Sequence, residues 1–338
     1  MKFTLYSKPE YFAELKSQID SCKKDDSIYL MAMAFRPHFS EISDLVRSLC
    51  EAAERGAKVQ LIFDTTTFET GRTKWVNARR AAKHDLEDSG VKVSLVNRRQ
   101  AKLSNPYSGR LHAKISIIND QIFVGGCNLN QVDQIDLMAS WKDSGQANQL
   151  AGVLDKIIAS GSARSAFEDR DLVIQIDNQT KMIFDAGVPH QSLIYDLALQ
   201  AIDESSKSVF AALYFFPTGK TFRRLQAAAK RGVKVRLLHN RPARYELVYR
   251  LIYTAVAPIG RRRLHKSVLA EELAKGLPLM HVKLLTADKT TILGSHNLAP
   301  SGVNWGTAET AIISTDPKFG HASIEAVKAQ LNALTDLT

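Results

Sequence analysis

The sequence predicts an α/β protein made of two fused halves, each a mixed sheet flanked by helices, with one pseudo-twofold site between them. Two observations carry this prediction: a motif and a strand–helix–strand order each occur twice. In both copies of the motif a histidine precedes a lysine by two positions and an asparagine by 16, and the copies start 169 residues apart. The copies are His112-Ala-Lys114 with Gly125-Gly126-Cys127-Asn128, and His281-Val-Lys283 with Gly294-Ser295-His296-Asn297.

The strand–helix–strand order is visible in the apolar pattern of both halves. Apolar runs predict strands at residues 27–35, 58–63, 208–216 and 234–238, and helical spacing predicts helices at 41–55 and 221–231. Gly56 and Gly232 end the two helices. Buried strands joined by helices are typical of a largely parallel sheet covered by helices.

Each copy of the motif also predicts a β-hairpin. Its strands fall at residues 114–118 and 121–124 in the first half and 283–286 and 290–293 in the second, with turns at Asn119-Asp120 and Asp288-Lys289. Residues two apart on a strand share a face, so we expect each histidine and its lysine to project together. The small residues after each hairpin let backbone N–H groups approach an anion, which predicts a phosphate pocket.

A single His-x-Lys pair in a strand is more often part of a solvated face than a catalytic site. Two copies with identical internal spacing favour a duplicated half-site instead. The boundary between the halves is predicted near residue 165, giving residues 1–165 and 166–338. Small polar residues are frequent around one short helix at 149–158, and a helix at 191–205 opens the second half.

The net charge of the chain indicates the kind of partner that it binds. The 338-residue chain carries a net charge of +10 and has a pI near 9.4, which predicts an anionic partner, either nucleic acid or an acidic membrane surface. Three scattered cysteines argue against a disulfide framework or a structural zinc site, and Cys127 is expected to fill a small-residue position. We see neither a signal peptide nor a transmembrane run, so we expect a cytoplasmic protein, peripheral on the inner face of the membrane.

The doubled motif resembles the signature of the phospholipase D superfamily: His-x-Lys-x4-Asp, five or six residues, Gly-Gly or Gly-Ser, any residue, and Asn. In appearance the chain is closest to members of the cardiolipin synthase and phosphatidyltransferase type. The second copy matches every named position, and the first has Asn119 where aspartate is expected, with Asp120 adjacent. Matching positions are His281, Lys283, Asp288, Gly294, Ser295 and Asn297, and His112, Lys114, Gly125, Gly126 and Asn128. Ser301 and Glu309 resemble the family's later serine and glutamate, and Asp136 is their acidic equivalent in the first half.

The resemblance implies phosphodiester chemistry through a phosphohistidine. His112 is expected to be the nucleophile and His281 the general acid and base, although sequence symmetry leaves their order open. Lysines and asparagines of both motifs would bind the phosphate oxygens, and Asp136 and Glu309 would orient the imidazoles. No metal or other cofactor is expected, because two lysines supply the positive charge. Both half-sites are in one chain, so a monomer is sufficient for the site.

The substrate stays open between two classes. Residues 245–259 are apolar and aromatic and are followed by Arg261-Arg262-Arg263, which suits an element that dips into an anionic bilayer; a core helix with a basic end is an equal alternative. This favours a phospholipid enzyme whose vesicle binding weakens when Leu247, Ile252 and Val256 become polar. Basic residues near aromatics instead favour a metal-independent nuclease, and a catalytically silent binding module is a third reading. These basic and aromatic residues are Trp75, Arg79, Arg80, Lys83, Arg98, Arg99, Lys102, Tyr107 and Arg110.

Overall fold

A computed structural model provides the structure of the protein, and it describes residues 3–97, 109–245, 247–274 and 277–335. Arg98, Arg99, Lys102 and Tyr107, together with the side chain of Leu247, lie outside the described residues. None of the helices within the described ranges is both long and apolar enough to cross a membrane.

The described chain folds into two mixed sheets with helices packed against them, as the sequence predicts. The strands are β1 (Thr4–Ser7), β2 (Ser27–Ala32), β3 (Lys58–Asp64), β4 (Lys92–Val96), β5 (Ile115–Ile118), β6 (Gln121–Gly125), β7 (Leu137–Lys142), β8 (Leu172–Gln175), β9 (Thr180–Asp185), β10 (Ser208–Leu213), β11 (Lys234–His239), β12 (Val268–Glu272), β13 (Leu284–Ala287), β14 (Thr290–Gly294) and β15 (Glu309–Ser314). The helices are α1 (Lys8–Ser21), α2 (Ser40–Glu54), α3 (Thr65–Glu69), α4 (Thr73–Asp88), α5 (Ser144–Ser160), α6 (Ala163–Ala166), α7 (Leu193–Glu204), α8 (Gly219–Lys230), α9 (Leu247–Arg263), α10 (Pro300–Trp305) and α11 (Pro317–Thr335).

The two sheets repeat one topology. The first has the order β1-β7-β6-β5-β2-β3-β4, and the second has β12-β11-β10-β13-β14-β15-β9-β8. In each, three parallel strands (β2-β3-β4 or β10-β11-β12) join an antiparallel hairpin (β5-β6 or β13-β14). The α/β class and the two-halved architecture are therefore confirmed.

The turn of each hairpin explains the aspartate of the motif. Asn119 and Asp288 have left-handed backbones, with φ of 52° and 47°, a conformation that these two residue types tolerate. Asp288 accepts hydrogen bonds from the N–H groups of residues 206, 207 and 208, and Asn119 Oδ1 accepts one from Ser27 N–H at 3.0 Å. Both side chains tie the turn to the start of a neighbouring strand. Asn119 thus takes the place of the expected aspartate in a structural role, without help from Asp120.

The two lysines do not start the hairpin strands, contrary to the prediction. Strand β5 starts at Ile115 and β13 at Leu284, so both His-x-Lys segments precede them. The physical reason is that the backbone around each histidine bonds to the other half: His112 N–H donates to the Ala308 carbonyl and His281 N–H to the Ile135 carbonyl. Isolated parallel bridges join Leu111 to Ala308 and Ile135 to Met280.

The two halves share apolar packing. One core cluster contains Trp141 and Leu154 of the first half together with Phe184 and Val327 of the second. At the N-terminus the ring of Phe3 lies 5.3 Å from that of Phe319 on α11. Strand β8 is the first strand of the second sheet, and α6 spans residue 165. The division at residue 165 stays a proposal.

Candidate active site

Each imidazole pairs with a carboxylate from the opposite half. His112 Nδ1 lies 2.8 Å from Glu309 Oε2, and His281 Nδ1 lies 2.7 Å from Asp136 Oδ2. The two carboxylates are buried, and the two imidazoles are 12% and 13% exposed. The four residues form one site only when the halves face each other.

Backbone bridges between the halves set this cross-pairing. His112 N–H donates to the Ala308 carbonyl at 2.8 Å, and His281 N–H donates to the Ile135 carbonyl at 2.7 Å. In each case the next residue along the partner segment is the carboxylate. The main chain therefore holds each acid beside the histidine of the other half.

The electrostatics define the imidazole tautomers. Burial alone would raise the pKa of Asp136 and Glu309, but the adjacent histidines and lysines lower both to about 2. Because these carboxylates are ionised they accept from Nδ1–H, which leaves Nε2 of each ring unprotonated, with a lone pair. Burial lowers the pKa of His112 to about 4 and that of His281 to about 3, so both rings are neutral near pH 7.

Lys283 makes the two imidazoles unequal. Its Nζ lies 2.8 Å from His281 Nδ1 and also donates to the His281 carbonyl. Since Nδ1–H is directed at Asp136, the ammonium acts on the ring as a neighbouring positive charge, not as a hydrogen-bond donor. After burial it is the largest cause of the lowered pKa of His281. In the first half Lys114 Nζ donates to the His112 carbonyl.

The two lysines are buried cations directed at the site. Lys114 and Lys283 are 1% and 2% exposed, and neither forms an ion pair with a described carboxylate. Burial lowers the pKa of Lys114 to about 7 and that of Lys283 to about 8, an effect that Glu309 and Asp136 only partly offset. A bound anion would restore full charge on both.

At one position the two glycine-rich segments differ for a steric reason, with Gly126 in the first half and Ser295 in the second. A Cβ at Gly126 would overlap the carboxylate of Asp136, so that position excludes every larger residue. At the equivalent place Ser295 is tolerated because Glu309 is one methylene longer, and the Ser295 hydroxyl donates to its Oε2. Gly125 and Gly294 each pack against a carbonyl of the next strand, of Leu137 and Thr310, where a Cβ would also overlap.

The remaining predicted residues are the two asparagines of the motifs, Ser301 and Cys127. Asn128 Oδ1 accepts from Ala34 N–H at 3.1 Å, which leaves its NH2 group to donate, and the buried Oδ1 of Asn297 has no hydrogen-bond partner among the described residues. Ser301 is half-buried in the first turn of α10, and its hydroxyl bonds to no described residue. Burial raises the pKa of the Cys127 thiol, which agrees with a packing role.

Sequence reasoning missed four residues around the site. Asp64 and Asn240 are buried at the ends of β3 and β11, and Tyr214 lies with its ring 5.4 Å from that of His281. Lys8 is fully buried and donates to Asn130 Oδ1 and, at 2.7 Å, to Gln134 Oε1, in the segment that leads to Asp136. The available signal was a polar residue at the carboxyl end of a buried strand in both halves, Asp64 and Asn240.

Comparison with known proteins identifies the family of the chain. A sequence model of the family described as cardiolipin synthase, PLD-like domain, matches residues 15–157 and 198–332. The chain belongs to this phospholipase D-like family. None of the curated proteins compared with the chain matches it.

Solved structures show the same fold. Phosphatidylserine synthase from Haemophilus influenzae Rd KW20 aligns with a TM-score of 0.77 and 14% identity, over 98% of this chain and 86% of that one. Polyphosphate kinase from Porphyromonas gingivalis aligns with a TM-score of 0.60 and 12% identity, over 98% of this chain and 50% of that one. A phospholipase D family member, Nuc from Salmonella typhimurium, gives a TM-score of 0.34 at 21% identity, over 45% of this chain and 88% of that one. At these identities the first two establish the fold alone.

Anion binding should depend on pH because the lysines titrate near neutrality. A lysine with a lowered pKa is charged below that pKa and neutral above it, so binding an anion draws protons onto Lys114 and Lys283. We expect sulfate, which does not titrate in this range, to bind at least ~10-fold more weakly at pH 9 than at pH 6. Calorimetry in buffers of different ionisation enthalpy should show proton uptake. Lys142→Gln, at an exposed lysine, is the control, and pH-independent affinity would contradict the prediction.

Proposed function

We propose that the protein is a phosphodiester-cleaving enzyme of the phospholipase D type that transfers or hydrolyses a phosphatidyl group through a phosphohistidine. The observation that carries the proposal is the cross-paired site. Two neutral imidazoles with free Nε2 atoms each have a buried carboxylate from the opposite half and a buried lysine from their own. This arrangement supplies a nucleophile, a proton carrier and positive charge for a phosphoryl group.

In the first step Nε2 of His112 attacks phosphorus, and the P–O bond to the leaving alcohol breaks. Imidazolium His281 gives its Nε2 proton to the leaving oxygen. Burial keeps His281 neutral near pH 7, so its protonation accompanies the arrival of the phosphodiester anion, which raises the pKa of the ring. Lys114 and Lys283 stabilise the charge that develops on the equatorial oxygens.

In the second step neutral His281 takes a proton from water or from an alcohol. The oxygen attacks phosphorus, the P–N bond breaks, and both rings return to their starting protonation states. Water gives hydrolysis and an alcohol gives transfer. The two outcomes therefore share one intermediate and differ in the acceptor that reaches it.

Helix α9 favours a lipid substrate. Four of the six large apolar side chains exposed among the described residues lie on it: Leu251, Ile252, Val256 and Ile259, which are 38–68% exposed. Their spacing places them on one face, apart from the buried face of Tyr253 and Ala257. Such a continuous exposed apolar face is typical of a helix that lies in the membrane interface.

The charges of α9 suit an anionic membrane. Arg250, Arg262 and Arg263 are exposed and form no ion pair with a described residue, whereas Arg261 pairs with Glu272. By the same spacing Arg262 and Arg263 lie on the side of the apolar face, whereas Arg250 lies on the opposite side. Unpaired arginines next to an apolar face add attraction to anionic lipid, worth about 1 kcal/mol each near the surface. We therefore propose that the enzyme works as a peripheral protein on an anionic membrane.

The same helix is close to the imidazoles. The ring of Tyr253 stacks on that of Phe215 at 5.0 Å. The neighbouring residue, Tyr214, contacts His281 edge to face. One aromatic layer therefore separates the apolar helix from the site, which suits a substrate that enters from a lipid surface.

A nuclease is the second candidate, and one cluster in the first half favours it. The indole of Trp75 has the guanidinium groups of Arg72 and Arg36 at 5.0 and 5.5 Å and the stacked ring of His38 at 5.8 Å. Cations around an aromatic ring suit a single-stranded nucleic acid. Arg79 does not contribute, because its buried guanidinium donates to the carbonyls of Phe68 and Thr70.

The substrate assay uses phosphatidylglycerol–phosphatidylcholine vesicles and a labelled single-stranded oligodeoxynucleotide, each in EDTA. We expect release or exchange of the glycerol head group and an intact oligonucleotide. Cleavage of the oligonucleotide without lipid turnover would overturn the lipid assignment in favour of the nuclease. Turnover of neither would contradict the proposed enzyme.

Vesicle co-sedimentation in the same experiment tests α9. Changing Leu251, Ile252 and Ile259 together to serine removes about 1 kcal/mol of apolar burial each, so binding should weaken by ~100-fold. The matched control is Val173→Ser, which alters an exposed apolar residue on β8, at the edge of the sheet opposite to β12. Equal binding by both variants would show that α9 does not contact the membrane.

A further inference from the structure

The residue before each histidine is held by a buried polar side chain. Asp64 Oδ2 accepts from Leu111 N–H at 2.8 Å. In the second half Asn240 Oδ1 accepts from Met280 N–H at 3.0 Å, and its Nδ2 donates to the Met280 carbonyl at 2.6 Å. Both side chains are fully buried.

Asp64 and Asn240 occupy the same point of the duplicated fold. In the parallel strands, Ala32 pairs with Phe63 and Leu213 pairs with His239. The next residue in each half is Asp64 or Asn240, at the carboxyl end of the central parallel strand. The two halves thus keep the position and the backbone contact while using different chemical groups.

Asp64 has a carboxylate and Asn240 a carboxamide, and the residue two before the histidine differs accordingly between the halves. Arg110, two residues before His112, donates from Nε to Asp64 Oδ1 at 2.9 Å. Leu279 is the residue two before His281. A buried carboxylate needs a counter-charge and a buried carboxamide does not. This explains why Asp64 is accompanied by Arg110 in the first half, whereas Asn240 is accompanied by the uncharged Leu279 in the second.

These contacts reach the imidazoles through the inter-half bridges. Leu111 and Met280 are the residues that bridge to Ala308 and Ile135, and the residues after those bridges are Glu309 and Asp136. A displacement of Leu111 or Met280 would therefore move a histidine relative to its acid. Asn240 Nδ2 also donates to the Tyr214 carbonyl at 2.9 Å, so it holds the aromatic ring beside His281 as well.

We propose that Asp64 and Asn240 are positioning residues, which set the ring orientation of His112 and of His281 respectively through the preceding backbone. Arg110 supplies the charge that allows a carboxylate to do this in the first half. The catalytic consequence rests on the proposed function, whereas the orientation of the rings does not.

The test exchanges the pair of one half for that of the other. Asp64→Asn leaves Arg110 without its carboxylate, so kcat for bis(p-nitrophenyl) phosphate should fall about 10–100-fold while KM stays within about 2-fold. The double change Asp64→Asn with Arg110→Leu reproduces the Asn240–Leu279 pair, apart from the bond that Asp64 Oδ1 accepts from Thr67 N–H at the start of α3, and should recover most of kcat. Recovery separates a positioning role from a general loss of packing, which a second change would not repair.

Ring ¹⁵N chemical shifts supply a readout that needs no activity. Asp64→Asn should shift the resonances of His112 and leave those of His281 in place, and Asn240→Ser should do the reverse, so each variant is the control for the other. Shifts of both rings in either variant, or a double variant no better than Asp64→Asn, would overturn the proposal. The expected shifts in a protein that turns over no phosphodiester would support positioning while refuting the proposed function.

Discussion

Replacing His112 by alanine is expected to lower phosphodiester turnover by about 10⁴-fold or more, with little change in the affinity for sulfate. In the proposed mechanism the P–N bond forms at Nε2 of His112, so no other group would take its place, while Lys114 and Lys283 would still bind the anion. Initial rates with bis(p-nitrophenyl) phosphate and sulfate titration measure the two effects. His84→Ala, at an exposed histidine that pairs with Asp88, should leave both unchanged.

Trapping distinguishes the two histidines. His281→Ala retains the nucleophile, so a donor with a good leaving group should still label His112, and the label should persist because the base that activates the acceptor is gone. His112→Ala should take up no label. Peptide mass spectrometry after rapid denaturation locates the phosphoryl group. Label on His281 in the His112→Ala variant would reverse the assigned roles, and undiminished turnover by both variants would contradict the phosphohistidine mechanism.

The sequence predicted the parts of the site whose positions depend on local spacing. The hairpin turns at Asn119 and Asp288 and the helices after β2 and β10 follow from periodicity and turn chemistry, which act over a few residues. Repetition of the motif identified His112, Lys114, His281 and Lys283 as a set. Their pairing inside one site depends on how the halves face each other, a property that no local spacing encodes.

The bounds of β5 and β2 were predicted wrongly, because local spacing does not encode contacts between distant segments. The apolar pattern predicted a strand from Lys114, but β5 starts at Ile115, because the preceding chain bonds to the other half, where Leu111 bridges to Ala308. Strand β2 ends at Ala32, three residues earlier than predicted, because the chain then turns so that Ala34 N–H reaches Asn128. In both cases a contact distant in sequence outweighs the local pattern.

The carboxylates should affect the rate nearly as much as the imidazoles, through tautomer choice. Asp136→Asn presents an NH2 group that can donate to Nδ1 of His281, which favours the tautomer with the proton on Nε2. That tautomer cannot accept a proton from water or an alcohol, so turnover should fall about 10²–10⁴-fold. Glu309→Gln should have the same effect on His112, whose Nε2 would no longer be nucleophilic. Asp133→Asn, which changes an exposed charge nearby, is the matched control.

A double-mutant cycle on the free energy of unfolding tests which histidine each carboxylate contacts. Asp136 contacts His281 and not His112, so Asp136→Asn should couple to His281→Ala by about 0.5–3 kcal/mol and add independently to His112→Ala. Both carboxylates have a pKa near 2, below that of the unfolded chain, so their contribution to stability is present above about pH 4 and is lost as the pH falls towards 2. The coupling should therefore be found at pH 7 and decline as the pH falls through about 2, where Asp136 becomes protonated. Coupling of Asp136 to His112 instead would mean that each half pairs its own acid with its own histidine, which is incompatible with the bridges at Ala308 and Ile135.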